Sequence, residues 1–353
     1  MPELSDFDYA LPAERIAQAP PARRTDARMM VVDRASGRIA HETVKALPGH
    51  LRQGDLLVVN DSRVIPARLF ARKTATGGRV ELLLVEEIRP GLWDALVRSS
   101  RPPKPGTELS LFGSEVRVRV DAVHGGGRAR VVFDCDDVYG VLERSGVPPV
   151  PPYIKRAAAD PRIASDRDRY QTVYAAHRGS IAAPTAGLHF TGDLLRAVAE
   201  RGVLRASVTL HVGPGTFKPV TCSNVAAHVM EAERYSISRD AARAINAAAR
   251  ARSACDRGAR VVAVGTTTVR VLETAAAENG RVRAGGGRSS LFVYPPYAFR
   301  LVDALLTNFH LPRSTLLMMV CAFAGRDLIL HAYEEAIRKA YRFYSYGDCM
   351  LIV

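Results

Sequence analysis

Three residues are best suited to proton transfer: His189, His211 and Asp348. His189 lies in GSIAAPTAGLHFT (179–191), a run of small and turn-forming residues that lets a ligand approach the backbone closely. His211 ends the apolar stretch of TLHVGPGTF beside a glycine loop. An imidazole titrates near neutrality, so both are acid–base candidates, although a lone histidine is more often a satisfied structural residue. Both end apolar segments next to glycine-rich turns, which predicts that they line one pocket. Asp348 follows YRFYSYG and precedes the apolar MLIV. A carboxylate there is expected beside the buried sheet, where burial would raise its pKa and an arginine partner would lower it.

A second group of residues suits anions. RVVAVG runs into Thr266, Thr267 and Thr268 and then a helical pattern, so hydroxyls and free backbone N–H groups gather at a positive helix end. An ordinary turn with a threonine cap is the competing reading. TNFHLPRSTLL (307–317) joins Thr307, Asn308 and His310 to Arg313, just ahead of a helix start at Ser314. HVMEAERY supplies His228, Glu231 and Glu233, a possible ligand set, but no cysteine joins it and no metal is expected. Tyr341, Phe343, Tyr344 and Tyr346, interleaved with Arg342, suit either stacking on exposed bases or an aromatic core edge. GxGxxG after a strand and GxxxxGK[ST] are both absent, which disfavours a Rossmann methyltransferase.

The elements that must hold these residues read as two textures. GDLLVVN (54–60) is a buried parallel-type strand ending in turn formers. Then RLFARK, RVELLLVEEI, LWDALVR, TELSLF, EVRVRVDAV and RARVVFD form six short β-rich runs, followed by a short helix around Val138 to Ser145 and the proline-rich VPPVPPYI. Residues 67–150 are therefore expected to be an inserted small β-barrel domain. Beyond it, helix 193–201, strand VLRASVTLHV, helix 238–252 capped by Ser238, strand RVVAVG and helix 267–278 alternate as in a layered α/β domain. A glycine-rich hairpin or loop at 280–288, strand SLFVY, helices 314–324 and 327–342 and a last strand MLIV complete it. The fold class is thus α/β, a layered α/β domain discontinuous in sequence (1–66 and 151–353) with the barrel inserted.

Composition permits this and adds little. The 353 residues are 47% hydrophobic and 24% charged, and contain no run long enough for a membrane span. Neither a signal peptide nor a membrane partner is expected, and the reading is cytoplasmic. Five scattered cysteines suggest neither disulfides nor zinc. The formal charge of +13 fits a polyanionic partner, but arginine is 43 of the 49 basic residues and alanine is abundant, as GC-rich coding would also give.

Taken in order, the strings GDLLVVNDSRVIPARL, TGGRVELLL, PPVPPYI, YQTVYA, AAPTAGLHFT, VTLHVGPGTFKPV, VAVGTTTVRVLE and TNFHLPRSTLL resemble the S-adenosylmethionine:tRNA ribosyltransferase-isomerase family along nearly the whole chain. The resemblance implies transfer and isomerisation of the ribosyl group of S-adenosylmethionine, a co-substrate, onto 7-aminomethyl-7-deazaguanine at the tRNA wobble position. Epoxyqueuosine forms, adenine and methionine leave, and no metal or redox cofactor is required. The implied partner is the tRNA anticodon stem-loop carrying that precursor base, and the chain is expected to be a monomer. On the matching strings, substrate binding is expected at Asp61 and Arg63, at Thr185 and Gly187, at Gly213 and Gly215, at Glu233, at Thr266 to Thr268, and at Asn308, His310 and Arg313. His189, His211 and Asp348 take the acid–base roles, Arg63 and Arg313 the anionic groups, and the threonines a methionine carboxylate or a phosphate. Glu231 stands where the family pattern has a second histidine, Pro296 replaces the glycine of a PGY, and Ser180–Ile181 vary a GAV. Two other readings remain open: a diverged S-adenosylmethionine-dependent paralogue with another acceptor, and a non-catalytic RNA-binding protein.

Overall fold

The computed structural model describes residues 2–157, 160–217, 220–254 and 258–353. Leu56–Asn60 is the pivot of a nine-stranded sheet whose order is Gly285–Ser289, Glu233–Ile237, Leu204–Leu210, Leu56–Asn60, Val261–Val264, Ala304–Asn308, Cys349–Ile352, Arg28–Val32 and Ile39–Thr43. All five residues of this strand are buried. Leu56 and Val58 face one apolar core and Leu57 and Val59 the other, which is why the run is continuously apolar rather than alternating. The strand pairs in parallel with both neighbours, and Val261–Val264 pairs in parallel with Ala304–Asn308. Their carboxyl ends, Asn60–Asp61, Leu210–Val212, Val264–Gly265 and Asn308–His310, therefore open on one side of the sheet. Cys349–Ile352 runs antiparallel to Ala304–Asn308, which brings Asp348 to that same side.

The six β-rich runs form the closed barrel, from Arg68–Lys73 to Arg128–Phe133. Inward Leu69, Ala71, Val80, Leu82, Trp93 and Val131 fill it, and the outward positions include Arg68, Arg72, Arg128 and Arg130, the alternation that a closed sheet requires. Helix Val138–Ser145 follows, with Asp137 accepting from Gly140 N at 2.8 Å. Ion pairs join barrel to sheet: Arg128 to Glu231 at 2.7 Å and Arg288 to Glu86 at 3.0 Å. Glu231, the departure from the family pattern, is thus one half of this bridge. No single helix among the described residues is long and apolar enough to cross a membrane.

The helices and caps read from sequence are present within a residue or a few: Gly192–Glu200, Arg239–Ala254 after Ser238, Thr266–Ala275, Thr315–Ala324 after Ser314, and Arg326–Arg338. One strand is corrected. SLFVY is not a strand; the edge strand is Gly285–Ser289, which overlaps the stretch expected to be a hairpin or loop. Glycine explains the exchange, because a Cβ on Gly287 would lie 3.0 Å from the Tyr235 hydroxyl across the ladder. Phe292 and Tyr294 instead stack 4.9 Å apart against the core without pairing. Strands Arg28–Val32, Ile39–Thr43 and Ala304–Asn308 were not expected.

Candidate active site

A cavity of about 640 Å³ opens at the carboxyl ends of the parallel strands. That is where ligands sit in open α/β sheets, and the size suits a nucleoside-sized molecule. Three strings far apart in sequence build its walls: Ala182–Ala186, Gly265–Thr267 and Thr307–Thr315, with Val212 and Thr216 from the glycine loop. Tyr153 and Tyr344 supply an aromatic wall, their rings 4.5 Å apart. Tyr153 Oη and Ser345 Oγ are hydrogen-bonded at 2.6 Å, and Ser345 also lines the cavity.

The floor is a helix N-terminus. Gly265 takes φ +87°, a conformation that glycine enters without steric cost, and turns strand Val261–Val264 directly into helix Thr266–Ala275. No side chain caps that helix, so its first amides and the Thr266 and Thr267 side chains are presented to the cavity. Asn60 Nδ2 donates to Thr267 Oγ1 at 3.3 Å and fixes that hydroxyl. Thr268 is different: its hydroxyl donates back to Val264 O at 2.7 Å, so it serves the helix and not the cavity.

On the opposite wall, His310 Nε2 bonds Thr307 Oγ1 at 2.8 Å, and burial pulls the imidazole pKa down to about 3, so it is uncharged at neutral pH. Asn308 Nδ2 faces the main-chain oxygens of Tyr344 (3.1 Å) and Asp348 (3.3 Å), which orients the amide. Arg313 lies on the rim; its fork is held by Asp8 and it remains more than half exposed. Thr185, Thr266, Thr267, Asn308, His310 and Arg313 are therefore brought together on one cavity.

The acid–base expectations fare otherwise. His189 and His211 do not share a pocket. His189 is buried behind Asn308, its Nε2 3.3 Å from Asn308 Nδ2, and faces a separate cleft with Arg24 and Arg169. Burial, then Arg342 and Arg24, lowers its pKa to about 4. His211 lies in another cleft at the barrel seam with Glu86, Glu231 and Arg234, its pKa lowered to about 4 chiefly by burial. His211 follows directly on strand Leu204–Leu210, whereas His189 ends the short turn Thr185–His189, and neither ring lines the cavity.

Asp348 is buried as expected and its pKa is raised by desolvation, yet both carboxylate oxygens are spent. Oδ1 accepts from Arg28 N at 2.9 Å and Oδ2 from Arg342 N at 2.8 Å, so it clamps the first strand to the C-terminal loop outside the cavity. Asp348→Asn would turn an amide NH2 toward one of two main-chain donors. The expected result is a stability loss of about 1–3 kcal/mol by chemical denaturation, with turnover per folded molecule changed less than tenfold. A larger loss of turnover in fully folded protein would return Asp348 to the acid–base roles.

The remaining expected binding residues do not line this cavity. Asp61 Oδ1 accepts from Thr209 Oγ1 at 2.6 Å, and Arg63 is exposed on the short strand Ser62–Val64. Gly187 is needed because a Cβ there would sit 2.2 Å from Tyr174 Oη, and Gly215 because one would sit 2.9 Å from the Glu231 Cβ. Gly213 N donates to Glu233 Oε1 at 2.8 Å, Thr216 Oγ1 donates to the same oxygen at 2.9 Å, and Arg270 pairs with Glu233 in the interior. Glu233 thus ties the glycine loop to the helix that floors the cavity. Among the described residues no group of three or more His, Cys, Asp or Glu side chains is placed to hold a metal ion.

The sequence matches the family model described as queuosine biosynthesis protein over residues 4–352. It is 49% identical to the S-adenosylmethionine:tRNA ribosyltransferase-isomerase of Pelobacter propionicus, with 99% of each chain covered. It is 52% identical to the protein of the same name from Anaeromyxobacter dehalogenans, again with 99% of each covered. Its structure resembles the crystal structure of S-adenosylmethionine tRNA ribosyltransferase from Thermotoga maritima, with a TM-score of 0.55 at 38% identity over 99% of this chain and 100% of that one.

Proposed function

The chain belongs to the S-adenosylmethionine:tRNA ribosyltransferase-isomerase family of queuosine biosynthesis, and from that membership we propose that its cavity holds S-adenosylmethionine and that the enzyme transfers and isomerises the ribosyl group onto 7-aminomethyl-7-deazaguanine in a tRNA anticodon stem-loop. What carries the reading is the gathering of Ala182–Ala186, Gly265–Thr267 and Thr307–Thr315 around one cavity. Its chemistry suits the co-substrate. The uncapped helix end with Thr266 and Thr267 takes the methionine carboxylate, and the Tyr153–Tyr344 wall takes the adenine face.

The sulfonium acidifies the C5′ hydrogens of the ribose. Removal of one places an electron pair at C5′ that breaks the C4′–O4′ bond to give a vinyl sulfonium, and adenine leaves with a proton as C1′ becomes an aldehyde. The aminomethyl nitrogen adds to C4′ and loses a proton, the electron pair returned to C5′ bonds C1′ and closes the carbocycle, and the C1′ alkoxide displaces methionine from C5′ to form the epoxide. His310 is the one imidazole on the cavity wall among the described residues, uncharged and hydrogen-bonded to Thr307. It is the group placed to relay that proton through Thr307, and because burial lowers its pKa to about 3 it acts as a neutral hydrogen-bonding relay and not as a strong general base. The enclosing apolar wall keeps water from the opened sugar.

Adenine release on mixing enzyme, S-adenosylmethionine and precursor-bearing stem-loop tests the reading. Release that depends on the RNA supports it; release independent of RNA would favour the paralogue with another acceptor, and no consumption under any condition would leave only RNA binding.

A further inference from the structure

Three arginines converge behind the Ser345 wall of the cavity, and among the described residues none of them is bonded to a carboxylate. Arg24 Nη1 donates to Leu188 O at 2.8 Å and Nη2 to Asp168 O at 3.0 Å. Arg169 donates to Ala22 O at 3.3 Å and Pro21 O at 2.5 Å. Arg342 donates to Ala19 O at 3.4 Å and Tyr346 O at 2.5 Å. Every acceptor is a main-chain carbonyl, which satisfies hydrogens but leaves the charge. Two of the neighbouring acids are committed, Asp166 to both Arg156 and Tyr346 and Asp348 to two backbone amides, while Asp168 offsets part of the Arg24 charge without forming an ion pair with it. All three arginines are half-buried, so the forks are fixed in place while part of each remains accessible. The mutual repulsion is legible in the site: Arg24 holds its proton less tightly because of burial and then of Arg169.

Arg24 and Arg169 line a shallow cleft with Ser345 and Tyr346, and Ser345 is also part of the large cavity. One residue therefore separates the positive surface from the place where the ribosyl group would react. We propose that Arg24, Arg169 and Arg342 form a phosphate-binding surface that seats the RNA backbone beside the cavity, so that the wobble base reaches in past Ser345. Guanidinium forks held in one geometry bind phosphate oxygens in pairs and lose little freedom in doing so. The inference rests on the tRNA reading above and adds the face on which the RNA lies.

The bland alternative is that the three arginines only staple the proline-rich turn at 19–22, whose prolines cannot donate. Charge separates the two accounts. The probe is an anticodon stem-loop RNA with an unmodified guanine at the wobble position, titrated between about 50 and 200 mM salt. Arg24→Gln with Arg169→Gln keeps donors for the carbonyls and removes two charges. Expected are a log-affinity against log-salt slope shallower by about 1–2 and roughly tenfold weaker binding at the upper salt. Each single glutamine variant should show about half the change in slope. The double lysine variant should keep the slope of the parent, and S-adenosylmethionine binding should be retained in all of them.

A parent that binds RNA with strong salt dependence, beside a folded glutamine variant of unchanged slope, would overturn the proposal while leaving the tRNA reading intact. A parent that does not bind the stem-loop at any salt would overturn both. Should the double variant fail to bind S-adenosylmethionine, the single variants decide by the same slopes. Displacement of the RNA by millimolar inorganic phosphate equally in parent and glutamine variant would show a free-anion site elsewhere and count against the proposal.

Discussion

Replacing Glu233 by alanine is expected to destabilise the protein by about 3–5 kcal/mol, the cost of leaving a buried charge without its partner. The Arg270 and Glu233 side chains are only 3% and 5% exposed. The deletion leaves the buried guanidinium with the Ser289 carbonyl but no counter-charge, and also removes the acceptor for Gly213 N and Thr216 Oγ1. Glu233→Gln keeps the shape and part of the hydrogen bonding, so its loss should be smaller. The pairing itself is separated from desolvation by Glu233→Met with Arg270→Met: two apolar side chains of similar volume should recover much of the stability lost in the single variant. Urea unfolding of the four proteins is the measurement. A single variant within about 1 kcal/mol of the parent would mean that the pair is not buried as described. Because Thr216 and Val212 wall the cavity, the variant should bind S-adenosylmethionine more weakly even where it folds.

Thr185→Trp should abolish S-adenosylmethionine binding without unfolding the chain. Thr185 is half-buried and its side chain borders the cavity, so an indole can extend into that space instead of displacing the core. Filling the space that the ligand needs is expected to weaken binding by a factor on the order of 10² or more, about 2.7 kcal/mol. Thermal unfolding should change by no more than a few degrees. Calorimetric titration of both proteins checks it. Undiminished affinity in a folded Thr185→Trp protein would put the ligand somewhere else.

Much of the architecture was legible because its determinants are local. Alternation of apolar and charged residues marks the barrel strands, and a continuously apolar GDLLVVN marks a strand covered on both faces. Ser238 and Ser314 announce helix starts through their own hydroxyls. The strand at Gly285–Ser289 was hidden because its reason lies across the ladder, in Tyr235 needing a neighbour without a Cβ. Ala304–Asn308 was hidden because its apolar run stops after three residues, at the polar Thr307 and Asn308.

The site was legible as motifs and not as geometry. Which strings meet follows from where parallel strands end, so the threonine turn, AAPTAG and TNFHLPRST could be singled out. Which side chains point inward depends on the short helical turn Thr185–His189, which buries His189 behind Asn308, and no periodicity reveals that. Tyr153 and Tyr344, separated by most of the α/β sequence, carried no mutual signal. Glu233 read as part of an acidic cluster because its partner, Arg270, lies in a distant helix. The one available sign was an arginine set between valines in VRVLE, a helical run whose residues are all buried.

The central claim is that this cavity turns S-adenosylmethionine into a ribosyl donor for RNA, and the mass of the RNA tests it most directly. Purified protein would be incubated with S-adenosylmethionine and an anticodon stem-loop carrying 7-aminomethyl-7-deazaguanine, and the RNA weighed before and after. The account predicts a gain equal to the ribosyl-derived epoxycyclopentanediol group, one adenine and one methionine released per RNA modified, and no gain with Thr185→Trp. A gain of a single methyl group, or an unchanged RNA mass beside full consumption of S-adenosylmethionine, would contradict it.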